Sequence, residues 1–514
     1  MKASIPHGHI TKKLRRSLII IIGLGIIMTA LLGSSIFLIN YNIDQTAIRS
    51  KQIAISNFNA LLQAQQKFAL PEDTSYVPTA LDDATLVNVI AKNQPSVVRI
   101  VTIYCADITL TSSRATANFT DTCTGKVGSG SFISSDGYIA TNGHVTTIMP
   151  ANAVVDSLAT SEDISKYLDY LVSSRLISFH DGAVIKNGFN NQNAEAQQWL
   201  EATIDLIPTA QVSAVNDTIN YAIQLSNNPV RIDRSGDRLV LEYGDTVVKA
   251  SLIDQDYDQL TSDQALTTGE FTSSDVALLK ASGSFPYISL GNIDKLKIGD
   301  QLTAIGFPTS VSGVSSDLTQ KVPSITQGKV TAITNDAPVD GRKLIATTVQ
   351  IGQGNSGGPA LNDAGQQIGL NTYSALECPD LKCTGDGQVR DIADIKALLT
   401  KHNITLKTGG VSDDWARGLD AYVKGNYTDA LKYFTKVQDE YPANYLVPSL
   451  LSVAKQQVGS QTDASMSYQA QGLVVIALIV LAALIPTIAV ILIILIVIFT
   501  KRYHRQMRNQ KSLM

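Results

Sequence analysis

One six-residue run, Gly354-Asn355-Ser356-Gly357-Gly358-Pro359, combines a hydroxyl nucleophile with the flexible backbone that acyl transfer requires. Glycines at 354 and 357 let the chain turn sharply with its amides pointed inward, where N–H groups can converge on an oxyanion. A serine alcohol is a poor nucleophile at neutral pH, so the run implies chemistry only alongside a histidine base and an orienting carboxylate. Of six histidines, His7, His9 and His504 lie beyond two apolar runs at the ends of the chain, leaving His144, His180 and His402 as candidate bases. His144 stands in Thr141-Asn142-Gly143-His144-Val145, directly after a strand-like run, and Ser274-Asp275 opens the apolar Val276-Ala277-Leu278-Leu279. The order along the chain is His144, Asp275, Ser356.

Short β-branched runs separated by turns must position these residues. Val97 to Tyr104, Gly130 to Ser134 and Tyr138 to Thr141 read as strands, with Asp136-Gly137 as a hairpin signal. Strand texture returns at Val230 to Ile253, Leu302 to Phe307, Gly328 to Ile333, Leu344 to Ile351 and Gln367 to Thr372, and a helix is expected from about 390 to 401. Residues 155–225 break this texture. Apolar residues three and four apart over Ile164 to Ile177 and Ala194 to Ile207, with Trp199 and Leu200 expected on one such face, predict a helical insertion.

Two segments stand apart from any globular core. Residues 17–39 and 472–500 carry no charge, and each is long enough to cross a hydrocarbon layer that needs about 20 helical residues. Lys2, Lys12, Lys13, Arg15 and Arg16 precede the first, and Lys501, Arg502, Arg505, Arg508 and Lys511 follow the second, with no acid among them. The positive-inside rule then makes the tails 1–16 and 501–514 cytoplasmic and everything between the spans extracytoplasmic, in a multi-pass protein of the cell membrane. Small residues at Gly33-Ser34-Ser35 leave a cleaved signal peptide as the competing reading of the first run; its length beyond the usual ~7–15-residue signal core favours an anchor. The chain has 41 Lys and Arg against 45 Asp and Glu, and ten of the basic residues are in the tails, so the region between is strongly acidic. That excludes a nucleic-acid surface.

Four cysteines in an exported region suit two disulfides, and proximity suggests Cys105 with Cys123 and Cys378 with Cys383. The alternative, a metal site of four thiolates, lacks the C-x2-C spacing, and no cofactor or metal is implied. Residues 40–81 have helical spacing at first and then Pro71 and Pro78, reading as a helical stalk. Trp415, Gly418, Ala421, Gly425, Tyr427, Ala430, Phe434 and Pro442 fall at spacings that resemble a tetratricopeptide repeat of two antiparallel helices over 409–458. A single repeat cannot bury its own apolar face, so it leans on the neighbouring domain or takes up a protein partner. A polar linker, 459–471, leads to the second span.

The region from Asp82 to His402 resembles the trypsin-like serine proteases, most closely their HtrA/Deg branch. Five pieces in order carry the resemblance: Gly128-Ser129-Gly130-Ser131-Phe132-Ile133, Gly137-Tyr138-Ile139-Ala140-Thr141-Asn142-Gly143-His144-Val145, Ser274 to Lys280, Ile298-Gly299-Asp300 leading to Ala304-Ile305-Gly306-Phe307-Pro308, and Gly354 to Ala360. The resemblance implies a mainly β fold of two six-stranded antiparallel β-barrels over 82–408, with the helical insertion, the C-terminal helical segment and the two transmembrane helices added. It makes Ser356 the nucleophile, His144 the general base and then acid, and Asp275 the residue that holds the imidazole. It places the oxyanion hole at the backbone of Gly354, Asn355 and Ser356. Gln350 and Ile351 would floor the primary specificity pocket and Leu370, Asn371 and Thr372 would wall it, with no acid to attract Lys or Arg.

The chain departs from the family in three respects. The stretch between His144 and Asp275 exceeds what a family barrel needs, Asn355 replaces the aspartate that pairs with a freed amino terminus in digestive members, and no PDZ-like sequence follows the protease. The expected function is a membrane-anchored serine endopeptidase acting on protein or peptide substrates outside the cytoplasm. The alternative is a catalytically silent binding module that recruits partners through the insertion and the helical segment.

Overall fold

A computed structural model describes residues 85–158, 161–191, 193–208, 211–225, 227–235, 238–258, 273–308, 322–335, 343–372, 387–460 and 462–511, with 48–60 and a few isolated earlier positions. Fourteen strands appear among them: β1 (Val97–Thr111), β2 (Thr116–Phe132), β3 (Tyr138–Thr141), β4 (Val212–Gln224), β5 (Ile232–Ser235), β6 (Arg238–Leu241), β7 (Val247–Asp256), β8 (Val276–Ala281), β9 (Gln301–Gly306), β10 (Ser324–Asn335), β11 (Lys343–Thr347), β12 (Pro359–Leu361), β13 (Gln367–Thr372) and β14 (Gly387–Asp391). Twelve close into two antiparallel barrels of six, in the orders β1-β2-β3-β8-β7-β4 and β10-β11-β14-β13-β12-β9. Closure removes the unpaired edges that short strands of this kind would otherwise expose. The remaining pair, β5 and β6, forms a separate hairpin.

Val101, Ile103, Ala222 and Val247 of the first barrel pack with Cys105, Cys123 and Leu241, in a cluster shared with the β5–β6 hairpin. Leu302, Val330, Ile345, Val349, Ile351, Ile368 and Val389 fill the second. A third cluster joins strands of both barrels to helix α6 (Ala393–Lys401): Ala140, Val276, Leu278, Leu370, Ile395 and Leu398. The expected closing helix thus begins later than expected, because residues 387–391 pair with β11 and β13 as β14.

Before α6 come α1 (Gly143–Thr146), α2 (Pro150–Asp156), α3 (Ser161–Ser173), α4 (Phe179–Asn190) and α5 (Ala194–Ala202), the last four forming the insertion. Its expected range, 155–225, is corrected at both ends. Helix begins at Pro150, and residues 212–224 are β4, paired with β1 from Arg99 to Leu110. Strands β1 and β2 run 15 and 17 residues, and the insertion packs on their outer halves, where Ile108, Leu110 and Phe119 meet Ile164, Tyr167, Leu168 and Leu171. Trp199 and Leu200 were expected on one face, but adjacent helical residues point about 100° apart. Leu200 is buried at 1% exposure and Trp199 stands out at 44%.

Three helices, not two, follow the barrels: α7 (Val411–Val423), α8 (Tyr427–Glu440) and α9 (Val447–Gln457). Trp415 is buried against Phe434 and its Nε1–H donates to Ala91 O at 2.9 Å, so this segment is fastened to the barrel domain. Tyr441 lies edge-on to Phe285. The chain divides into two compact units, one comprising 55–420 and 430–452 and the other 1–54, 421–429 and 453–514. Within the second, Ser50 Oγ donates to Thr462 O at 2.7 Å, and α10 (Ala464–Lys511) runs unbroken for 48 residues.

Among the described residues no helix is long and apolar enough to cross a membrane. Of the apolar run 472–500 the helical backbone is described but only part of the side chains, and the run 17–39 lies almost wholly outside the described residues. The expected stalk is helical through 48–60, and 61–84 lie outside the described residues.

Candidate active site

His144, Asp275 and Ser356 all sit at strand ends. His144 is on α1, two residues past the Asn142 that follows β3; Asp275 immediately precedes β8; Ser356 precedes β12. Strand β3 pairs with β8, Thr141 opposite Ala277, so the segments carrying His144 and Asp275 emerge side by side. The imidazole Nδ1 lies 2.8 Å from Asp275 Oδ2 and 3.1 Å from Oδ1, and the His144 backbone N–H donates to Oδ1 at 2.9 Å. Asp275 is buried at 5% exposure and its backbone is left-handed, φ 52°. Asn142 Nδ2 donates to Asp275 O at 2.7 Å, and Thr372 Oγ1 donates to Asp275 Oδ2 at 3.3 Å.

Helix α1 is one turn long, too short to satisfy its own carbonyls. Side chains do it instead. Lys126 Nζ donates to His144 O at 3.4 Å and Thr147 O at 2.9 Å, Thr102 Oγ1 to Val145 O at 2.8 Å, and Tyr221 Oη to Thr146 O at 3.1 Å. The phenol of Tyr221 is pushed up to about 12 by burial, so it stays a donor. Beside Lys126, burial raises the Asp156 carboxyl above its ordinary value, opposed by the hydrogen bond from Thr124 and the charge of Lys126. None of these supports was legible in the sequence; all come from β1, β2 and β4, far from the histidine motif.

The Ser356 turn is fastened to the first barrel through Ser129 on β2. Its N–H donates to Ser356 O at 2.8 Å, and its hydroxyl donates to Gly354 O at 2.7 Å while accepting from Phe307 N–H at 2.8 Å. Gly357 has φ 84°, and a Cβ there would fall 2.2 Å from Thr141 Oγ1, 2.3 Å from Ser129 O and 3.0 Å from Asn142 N. The residue after Ser356 therefore touches the chain two residues before His144. Ser356 is 8% exposed.

The three expected oxyanion residues differ. Asn355 N–H donates to Gly352 O at 3.1 Å, whereas the N–H groups of Gly354 and Ser356 have no acceptor among the described residues. Of the three, only the N–H groups of 354 and 356 are therefore open to an acceptor among the described residues. The expected specificity residues also separate. Leu370 is fully buried in the cluster under α6, and Ile351 belongs to the second barrel's core. Asn371 is buried and braces the turn: its carbonyl accepts from Gly357 N–H at 2.8 Å and its side-chain amide donates to Pro359 O at 3.2 Å. Thr372 is spent on Asp275, and Gln350 is exposed, its carbonyl accepting from Thr326 Oγ1 at 3.0 Å.

Cys105 and Cys123 form a disulfide across β1 and β2, where they sit directly opposite each other. Cys378 and Cys383 lie outside the described residues. Among the described residues no group of three or more His, Cys, Asp or Glu side chains is arranged to hold a metal ion. His402, another candidate base, pairs through Nε2 with Asp254 at 2.7 Å, and His180 is the second residue of α4 on the insertion.

Residues 220–370 match the family model of the trypsin-like peptidase domain, a span that holds Asp275 and Ser356. Over 110 residues the chain is 38% identical to the "Probable periplasmic serine endoprotease DegP-like" of Pseudomonas putida (strain GB-1), a match covering 21% of each protein. A protein of the same name from Chlamydia pneumoniae is 37% identical over 111 residues, again 21% of each. The chain thus spans about a fifth of the length of these relatives. A solved structure, "HtrA-type protease AlgW with decapeptide", aligns with 62% of this chain and 67% of its own at 17% identity and a TM-score of 0.32, too remote to carry an argument. In the match over residues 220–370 this part of the chain is similar to the trypsin-like peptidase domain, and the twin six-stranded barrels are the architecture that carries it.

Proposed function

We propose that this chain is a membrane-anchored serine endopeptidase that cleaves protein or peptide substrates outside the cytoplasm. The observation that carries the reading is the buried Asp275 carboxylate on His144 Nδ1, beside a serine turn with two N–H groups that have no acceptor among the described residues. With Nδ1–H donating to Asp275, the other ring nitrogen, Nε2, is left as an acceptor. Ser356 Oγ attacks the substrate carbonyl as His144 Nε2 takes its proton, and the N–H groups of Gly354 and Ser356 receive the oxyanion. Collapse breaks the C–N bond while the imidazolium returns the proton to the leaving amine, giving an acyl-enzyme on Ser356. Water deprotonated by His144 then releases the acid and restores the serine. Asp275 keeps one tautomer in place and stabilises the imidazolium.

Location is part of the proposal. The relatives carry "periplasmic" in their names, and the basic tails with two uncharged runs argue for an anchored domain on the outer side. Twenty-nine uncharged residues on α10 would span about 43 Å as helix, against a hydrocarbon core of about 30 Å. Leu484, Ile488, Ile493 and Phe499 on that helix are exposed apolar side chains, from 50% at Leu484 to 74% at Phe499, which water would penalise and lipid would not.

A fluorophosphonate probe is expected to label the full chain, with labelling abolished by Ser356→Ala and by His144→Ala. Failure to label the folded wild type, together with absent peptide hydrolysis, would overturn the enzymatic reading. Recovery in the soluble fraction after alkaline extraction of membranes would overturn the anchoring.

A further inference from the structure

Asp275 holds a left-handed backbone that is strained for a non-glycine residue, and such a conformation persists only where its surroundings over-determine it. Each residue of the turn Ser273-Ser274-Asp275 is held by a hydrogen bond. Ser273 Oγ accepts from Asp258 N–H at 3.4 Å, and Asp275 O accepts from Asn142. Ser274, buried at 2% exposure, donates both its N–H, at 3.2 Å, and its hydroxyl to one oxygen, Oδ2 of Asp256. Asp256 is the last residue of β7 and lies opposite Val276, the first of β8, so the register fixes its carboxylate beside this turn.

The next residue reaches the other half of the pair. The Tyr257 ring stands edge-on to the His144 imidazole, 6.4 Å between centroids and 65° between planes. It packs so closely on α1 that a Cβ on Gly143 would fall 2.1 Å from Tyr257 Cβ. One dipeptide at the end of β7 thus touches both sides of the His144–Asp275 hydrogen bond.

We propose that Asp256 is a positioning residue: its carboxylate, through Ser274, sets the backbone of Asp275 so that the Asp275 carboxylate meets His144 Nδ1. The proposal rests on the protease reading above, and its test therefore has one readout that needs no turnover. In Asp256→Ala, kcat and the fluorophosphonate labelling rate are expected to fall about 10- to 100-fold, with KM within about twofold, the size of loss that small misplacements of catalytic groups produce. Asp256→Asn keeps an acceptor oxygen and is expected within about threefold of wild type, with Ser274→Ala between the two. In an Asp275→Ala background, Asp256→Ala should cost nothing further, as expected of residues acting as one unit. Independently of activity, the downfield Nδ1–H proton resonance of His144 in the full chain should be lost in Asp256→Ala and kept in Asp256→Asn.

Unchanged kcat and an unchanged His144 resonance in Asp256→Ala would overturn the proposal, as would a further multiplicative loss in the Asp275→Ala background. Were the wild type inactive, the protease reading would fall while the resonance still decided the role of Asp256. Should Asp256→Ala fail to fold, Ser274→Ala and Asp256→Asn carry the same comparison: equal loss in both, or in neither, goes against the assignment.

Discussion

Replacing Gly357 with alanine tests whether the serine turn is held by the close approach of the two barrels. The position has φ 84°, where an L side chain costs about 1–2 kcal/mol. Its new methyl would lie 2.2 Å from Thr141 Oγ1 and 2.3 Å from Ser129 O, neither of which can retreat freely. Thr141 Oγ1 donates to Ser129 O at 2.7 Å, and Ser129 N–H donates to Ser356 O at 2.8 Å. Overpacking of this kind adds about 1–3 kcal/mol, giving a total of about 2–5 kcal/mol against the native turn. The turn relieves the clash by moving away from β2, carrying Ser356 and its flanking N–H groups with it. At about 1.36 kcal/mol per tenfold, kcat/KM should fall from about 30-fold to several thousandfold. The assay is peptide hydrolysis and fluorophosphonate labelling of Gly357→Ala beside wild type, with near-ultraviolet circular dichroism to show that both barrels remain folded. A folded Gly357→Ala within threefold of wild type would refute the account of how the first barrel positions Ser356.

Tyr221→Phe leaves Thr146 O buried without its donor and should destabilise the barrel domain by about 1–3 kcal/mol, seen as a lower urea midpoint at unchanged slope. Asp156 has a folded pKa raised above its ordinary 3.8, so the folded state holds a proton that the unfolded state releases, and stability falls as pH rises from about 3.8 through the folded pKa. Asp156→Asn should remove that dependence, flattening the thermal midpoint between pH 4 and neutrality by roughly the one-group change expected from linkage; an unchanged pH profile would contradict the assignment. Deletion of 155–225 removes β4 and Tyr221 along with the insertion and should yield unfolded, unlabelled protein, whereas an active product would contradict the pairing of β4 with β1.

What could be read in the sequence and what could not divide along one physical line: contacts between neighbours in the chain were legible, and contacts made through strand pairing were not. Residues around His144, Asp275 and Ser356 announce themselves because local backbone demands, a turn after a strand and glycines at a sharp bend, leave their mark on adjacent positions. Strands are legible one at a time from their β-branched texture, whereas their closure into two barrels is what the family resemblance implies. The outer half of β4 is not legible as a barrel strand because Ser213 and Val215 to Ile219 are exposed while Val212 and Ala214 pack on the insertion; its buried half begins only at Tyr221. Trp199 misled for the opposite reason, since an aromatic residue suggests a core although only its neighbour Leu200 faces one. The family resemblance makes Thr372 and Asn371 pocket walls, yet both are committed to hydrogen bonds that no spacing encodes. The same holds for Lys126, Thr102 and Tyr221, which close the end of α1 from three strands. A histidine on a one-turn helix needs such donors wherever they originate, because four carbonyls at its end cannot be left unpaired in a buried site. The requirement is fixed by the motif; only the register of β1, β2 and β4 decides which residues meet it.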